Sequence, residues 1–402
     1  MIGALVEAWA EFRVHRARVL LSLVGVVIAV AALAAVVGVG SIASQAQIEQ
    51  LERGAGRPAT LVLNPPYDPR TGKQADPAKL AAAFDQIVER YSITYAGSVL
   101  WSGGQAQFVD GVDAVQLTVV DPAYGPMHRV QLARGDWFSD RDELRLTPAL
   151  VVSDAVWRRL GSPDLATHPT LTLIGRQPTT GVILGVLPPD PYVGNLQAYL
   201  LGSGYAALAP SAAPGASPLP MYEFWVPLEL ADPLAERIRA EVGAAFGEGW
   251  VVDVQRQDYL AWGAGDPLEP VRIVLLAIAG LILLLGALSL VNIALVTVRQ
   301  RVREIGIRRA FGATAPRVFL AVLLESVVAT VIAGFVGVVL AVILVQSDWI
   351  QGLIAPGLQD AVPFPVEAAV IGLVAATGVG ALAGLLPALV AVRVKVVDAI
   401  RY

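Results

Sequence analysis

The sequence contains no cysteine, which excludes a disulfide framework and any thiolate metal site. Histidine is almost as scarce: His15, His128 and His168 lie far apart and lack the H-E-x-x-H spacing of a zinc site. No G-x-x-x-x-G-K-[ST] occurs, since Gly72-Lys73 is followed by Gln74, so ATP cannot be held here by a P-loop. No G-x-S-x-G marks a nucleophile elbow. Asp140 and Asp142 fall in a turn-like run that reads as a solvated loop rather than an acid–base pair. These absences argue against catalysis within the chain. Charge is sparse as well: 16% of the 402 residues are charged, against about 25% in a soluble globular domain.

What replaces charge is hydrocarbon, which makes up 55% of the residues. Four windows hold no ionisable side chain: Val19 to Ser44, Ile273 to Val298, Ser326 to Ser347 and Ala368 to Val392. Each exceeds the roughly 20 residues that cross a bilayer as a helix. The first is too long for the h-region of a signal peptide and is followed by no A-x-A site, so it is read as a retained helix.

Basic residues cluster on one side of these windows. Arg13, Arg16 and Arg18 precede the first, six arginines from Arg299 to Arg317 join the second to the third, and Arg393, Lys395 and Arg401 follow the fourth. The connection from Gln346 to Glu367 has none. By the positive-inside rule both termini are expected in the cytoplasm of a cell or inner membrane, with residues 45–270 outside. That outer segment carries 16 basic and 26 acidic side chains, a net of −10 in a chain of −5. So acidic a domain argues against nucleic acid as a partner.

The expected architecture is four transmembrane α-helices with a large mixed α/β extracytoplasmic domain between helices 1 and 2. Ile2, Leu5, Val6, Trp9 and Phe12 recur at helical spacing, which suits an interfacial amphipathic helix over 1–18 in contact with lipid. The first spanning helix, 19–44, stays helix-compatible to Gly54 and is expected to project as a stalk. Within 45–270, short β-branched runs read as strands: T-L-V-L, S-I-T-Y, Q-F-V-D-G-V, L-T-V-V, A-L-V-V, L-T-L-I and G-V-I-L-G-V-L. Helices are expected over 77–91, 153–160 with Ser153 or Asp154 as cap, and 233–246. Residues 191–222 carry no charge and read as a plain loop, with an apolar contact surface or a fifth span over 192–209 as alternatives. The remaining segments are helices over 271–298, 318–345 and 368–392, a cytoplasmic loop 299–317, an outer loop 346–367 and a tail 393–402. Gly380 and Gly384 form a G-x-x-x-G in the last helix, a pattern that permits close helix approach.

The loop after the second span reads V-R-Q-R-V-R-E-I-G-I-R-R-A-F-G-A-T-A-P-R, a short basic helix ended near Gly312, with a new helix start at Thr314 and Pro316. Charge alone explains it as a positive-inside anchor. The string R-E-I-G-I-R-R-A-F-G-A, however, resembles the signature of the MacB/FtsX superfamily of ABC transporter permeases. V-V-D-P-A-Y, L-A-R-G-D-W-F-S-D-R-D, A-L-V-V-S-D-A-V-W-R-R-L-G, G-V-I-L-G-V-L and F-W-V-P-L are similar in order and spacing to that family's periplasmic core domain. The closing L-P-A-L-V-A-V-R-V-K-V-V-D-A-I-R resembles its C-terminal motif.

The resemblance implies a non-catalytic permease subunit that transmits ATPase-driven motion to the outer domain in order to export or extract a substrate. It places Arg303, Glu304, Gly306, Arg308, Arg309, Gly312 and Ala313 against the ATPase, with Arg299 and Glu325 beside them. Glu325 sits just inside a span, where a carboxylate expects a basic partner or an interfacial depth. ATP and Mg are expected on a separate ABC ATPase chain, and no cofactor here. A homodimer, or a heterodimer with a similar permease, is implied. The alternative is an FtsX-like regulator that activates an extracytoplasmic protein such as a cell-wall hydrolase.

Overall fold

A computed structural model of the chain describes residues 16–189, 194–208, 219–261, 269–300, 307, 311, 314–355, 358 and 362–392. It divides into two units, Ile48–Ala264 and a second formed by Met1–Gln47 with Gly265–Tyr402. Helix α1, Arg16–Ala55, runs unbroken for 40 residues. The interfacial segment expected over 1–18 lies outside the described residues except for the first three positions of α1.

The large unit is built on strands that pair into one sheet. In chain order its elements are β1 Thr60–Leu63, α2 Pro77–Tyr91, β2 Tyr95–Phe108, β3 Gly111–Val120, α3 Tyr124–Met127, β4 Arg134–Gly135 and β5 Ala149–Val152. There follow α4 Asp154–Arg159, β6 Thr170–Ile174, β7 Thr179–Val186, β8 Gln197–Leu201, α5 Gly202–Leu208, β9 Met221–Trp225, α6 Ala231–Phe246 and β10 Val254–Arg256. The strand order is β10-β1-β9-β2-β3-β8-β5-β7-β4, with β6 pairing both β2 and β7. Two apolar cores divide the work. One gathers Leu117, Leu150, Trp157, Leu173, Ile183 and Leu200, and the other Leu61, Leu63, Leu80, Ile87, Phe224 and Ile238 beneath α2 and α6.

Local chemistry sets several boundaries. Asp76 caps α2 by accepting the Lys79 N–H at 2.9 Å, and Ser92 closes that helix in the left-handed region. Ser153 caps α4, as its sequence position suggested. Q-F-V-D-G-V is not one strand, because β2 ends at Phe108 and β3 begins at Gly111. The Asp110-Gly111 pair makes a hairpin turn within a β-branched run, and Gly111 takes φ +142°. S-I-T-Y likewise contributes only Tyr95 to a strand.

The uncharged 191–222 stretch is not a plain loop, nor a fifth span. Strand β8 lies between β3 and β5, parallel to the first and antiparallel to the second. Ala198 and Leu200 are fully buried and Leu201 nearly so. A central strand covered on both faces has no room for charge, so its sequence looks featureless.

The second unit holds α1 through Gln47, then α7 Glu269–Gln300, α8 Ala315–Val345, a short α9 Asp348–Ile354 in the outer connection, and α10 Val366–Val392. Helices α1, α7, α8 and α10 are each long and apolar enough to cross a membrane. Lipid is as apolar as a leucine side chain, so such helices associate through small residues that let backbones approach. Val30, Ala34, Ala333, Ala341, Ala376 and Ala383 form that core. The G-x-x-x-G contact is real. A Cβ at Gly380 would collide with Thr330 Oγ1, and one at Gly384 would come within 2.8 Å of Ser326 Cβ on α8. Gly337 of α8 meets α1 in the same way, 2.7 Å from the Val27 carbonyl.

Gly378, two residues from Gly380 in α10, faces open space. Gly380→Ala is therefore expected to cost about 1–3 kcal/mol through overpacking, while Gly378→Ala is neutral or mildly stabilising. Thermal unfolding of the two variants in the same detergent checks the pair.

Candidate functional site

Seven of the residues that the resemblance places against an ATPase, Arg303, Glu304, Gly306, Arg308, Arg309, Gly312 and Ala313, lie outside the described residues, as does the side chain of Arg299. The flanks are described. Ile307 and Phe311 are exposed, and the Phe311 N–H donates to the Ile307 carbonyl at 3.0 Å, one helical turn within the loop. Thr314 is the N-cap residue of α8, with Pro316 in its first turn, and its carbonyl accepts from Arg317 and Val318 at 3.0 and 3.2 Å. The helix restart legible at Thr314 and Pro316 is thus formed. Glu325 is exposed on α8 and is not without a partner.

A second constellation occupies the far end of α1. Glu49 and Glu52, one turn apart, are almost completely buried. Both are held by Arg129: its Nε donates to Glu52 in a short ion pair, and its Nη1 lies 3.9 Å from Glu49. Arg53 adds a contact to Glu49 at 3.5 Å. Next to Arg129, the buried His128 places Nε2 2.7 Å from Glu223 Oε2 of β9 and Nδ1 3.2 Å from the Arg53 carbonyl. Tyr124 stacks on the His128 ring at 4.0 Å, and burial pushes its phenol well above the ordinary range. Just past the helix, Arg57 N–H donates to the Met127 carbonyl at 3.0 Å and Arg57 Nε to the Pro126 carbonyl at 2.8 Å. The end of α1 is therefore fastened to segment 124–129 by ion pairs and backbone bonds together.

Asp258 fastens the two ends of the domain to each other. It accepts from the Ala59 N–H at 2.9 Å where the chain enters, and from the Leu260 and Ala261 N–H groups at 3.0 and 3.2 Å where it leaves. Arg256 donates two further bonds at 2.9 and 3.0 Å. Burial works to raise this carboxyl, yet the Arg256 guanidinium and the Ala59 and Ala261 N–H groups outweigh it and hold the group below its ordinary 3.8. Asp142 behaves alike and is no solvated loop residue. It is buried, accepts Ser139 N–H and Oγ–H at 2.8 and 2.7 Å, and pairs with Arg145 at 2.5 Å.

None of Glu49, Glu52, Arg129 or Asp258 stands out by residue type. The available signal was Glu49 and Glu52 at i, i+3 on the stalk helix, two carboxylates on one helical face. Their partner Arg129 is remote in sequence and cannot be read from spacing.

Four spans enclosing a mixed α/β domain, with a basic connection between the second and third, define a transporter permease. The chain belongs to the family of the MacB-like periplasmic core domain, matched over residues 19–229, and carries an FtsX-like permease C-terminal region over residues 276–396. It is thus an ABC transporter permease of the MacB/FtsX type. It is 24% identical to the probable export ATP-binding/permease protein MacB of Pseudomonas entomophila (strain L48), across 98% of this chain and 58% of that relative. A probable syringafactin export ATP-binding/permease protein, SyfD of Pseudomonas syringae pv. tomato, is 23% identical with the same coverage. The uncharacterized ABC transporter permease YknZ of Bacillus subtilis is 32% identical across 37% of this chain and 36% of its own. This chain therefore spans somewhat over half the length of the first two. Among solved structures, the periplasmic region of MacB from Actinobacillus actinomycetemcomitans overlaps 53% of this chain and 94% of its own, with a TM-score of 0.38 and 14% identity.

Two expectations follow from the site. Arg129→Met leaves Glu49 and Glu52 buried without their guanidinium, a loss of about 3–5 kcal/mol, measurable as a lower unfolding midpoint of the purified chain. Asp258 has a lowered folded-state value, so its contribution is complete above 3.8 and disappears as pH falls through the lowered value. Native protein should accordingly lose more thermal stability than Asp258→Asn between about pH 5 and about pH 3.

Proposed function

We propose that this chain is the non-catalytic membrane subunit of an ABC transporter, which carries ATPase-driven movement through α1 into the large domain in order to export or extract a substrate. The carrying observation is α1 itself, an uninterrupted 40-residue helix that begins in an apolar span and ends among buried ion pairs. A rigid rod with a firmly seated end transmits displacement, whereas a flexible linker would absorb it. ATP and Mg reside on a separate ABC ATPase chain in this reading, since the sequence has no P-loop.

The input is the loop 299–317, where Arg299, Arg303, Glu304, Gly306, Arg308, Arg309, Gly312 and Ala313 meet the ATPase and Glu325 steadies the following helix. Two permease subunits, a homodimer or a heterodimer, match two ATPases. The chain sits in the cell or inner membrane with both termini in the cytoplasm and the acidic domain outside. Curated relatives are named for macrolide and syringafactin export, which supports a small amphipathic cargo over activation of an extracytoplasmic protein.

The test is charge reversal in the loop, Glu304→Arg and Arg308→Glu, in the chain assembled with its ATPase. Membrane insertion should persist while stimulation of ATP hydrolysis by the permease falls at least tenfold. Unchanged stimulation would reduce the loop to a positive-inside anchor.

A further inference from the structure

The large unit carries an open groove of about 700 Å³ between the end of α2 and the start of α6, with β9 as its floor. That volume lies in the range of small-ligand sites, which bury apolar matter and orient it with few polar groups. Tyr95, Trp225, Leu228, Leu230 and Leu234 supply the apolar lining. Tyr95, Leu228 and Leu230 are 38%, 47% and 54% exposed, a cluster of hydrophobic surface left open to solvent. The floor is rigid: Trp225 donates its Nε1–H to the Pro58 carbonyl at 3.1 Å, packs against Tyr95 at 5.1 Å and lies under the Arg57 guanidinium.

Arg237 is the one charged side chain in the lining. Every other charge on α6 is neutralised. Asp232 faces Arg256 at 3.6 Å, Glu236 pairs with Arg239 at 2.7 Å, and Glu241 is held by Arg90 at 3.0 Å and by the Tyr91 hydroxyl at 2.6 Å. Arg237 has no carboxylate partner among the described residues. An unpaired guanidinium beside exposed aromatic and aliphatic side chains, on a domain of net charge −10, is complementary to one kind of molecule. Its apolar part covers the leucines and the Trp225–Tyr95 pair, and its anionic end supplies the missing partner.

We propose that this groove binds a single-chain anionic amphiphile, with the alkyl chain along Tyr95, Trp225, Leu228 and Leu230 and the carboxylate or phosphate head on Arg237. The proposal is independent of force transmission, because binding is read without ATP or an ATPase.

The full chain in phosphatidylcholine nanodiscs is titrated with a dansyl-labelled undecanoic acid, with empty nanodiscs as background, and the bound probe is displaced by competitors of equal chain length. Dodecanoate and dodecyl phosphate should displace it at least tenfold more effectively than dodecyltrimethylammonium. Arg237→Gln should weaken both anionic competitors at least tenfold while dodecanol is unaffected, and Leu228→Gln should weaken all chain-bearing competitors. Equal displacement by the cationic amphiphile, or anionic binding unchanged in Arg237→Gln, would overturn the proposal, as would displacement by inorganic phosphate as strong as that by dodecyl phosphate. Unfolding midpoints of both variants, expected at the native value because both side chains are exposed, separate loss of the site from loss of the fold.

Discussion

The pairing of Arg129 with Glu49 and Glu52 is the constraint on which the rest of the molecule depends. Burying two carboxylates at a helix end is unfavourable unless a cation is desolvated with them. Once that pairing is made, the last turns of α1 have one seat rather than many. His128, which follows the same short segment, extends the arrangement to Glu223 on β9. Through β9 the seat reaches the middle of the sheet, since β9 pairs with both β1 and β2. Asp258 closes the base by holding the entering and leaving chain together. Ionic contacts used this way contribute less to net stability than to uniqueness of geometry, which is what a transmitting joint requires.

The membrane unit solves a different problem by different means. Its helices cannot use the hydrophobic effect against one another, so approach distance does the work, with Gly337, Gly380 and Gly384 bringing α8 against α1 and α10. Polar groups there are few and local: Thr330 and Ser326 donate to carbonyls of their own helix. The joint uses directional ion pairs and the bundle uses close steric contact. Each suits its solvent.

How much of this was legible follows the physics of each signal. The four spans were plain because lipid tolerates few charges over 20-odd residues, and the helices 77–91 and 153–160 because Asp76 and Ser153 announce their caps. The family was legible from the loop 299–313 and from motifs that prove structural, such as Asp121 of V-V-D-P-A-Y, which accepts the Ser98 N–H at 2.6 Å. Strand β8 was missed because a strand buried on both faces shows no alternation, and the β2–β3 turn because Asp110-Gly111 sits inside a β-branched run. The joint was invisible for a further reason: Arg129 meets Glu52 across 77 residues, and only the fold brings them together.

The central claim is that α1 carries displacement into the large domain. Because the chain has no cysteine, Val109→Cys in the domain and Ile343→Cys on α8, both exposed, provide a clean pair for spin labels. The measurement is the distance between them, with and without ATP, in the chain assembled with its ATPase. It is made once with a seven-residue helical insert between Ser44 and Gln45, about two turns, and once with a Gly-Ser insert of equal length. The account predicts an ATP-dependent change in distance that survives the helical insert and vanishes with the flexible one. A change that persists undiminished through the flexible insert would contradict it.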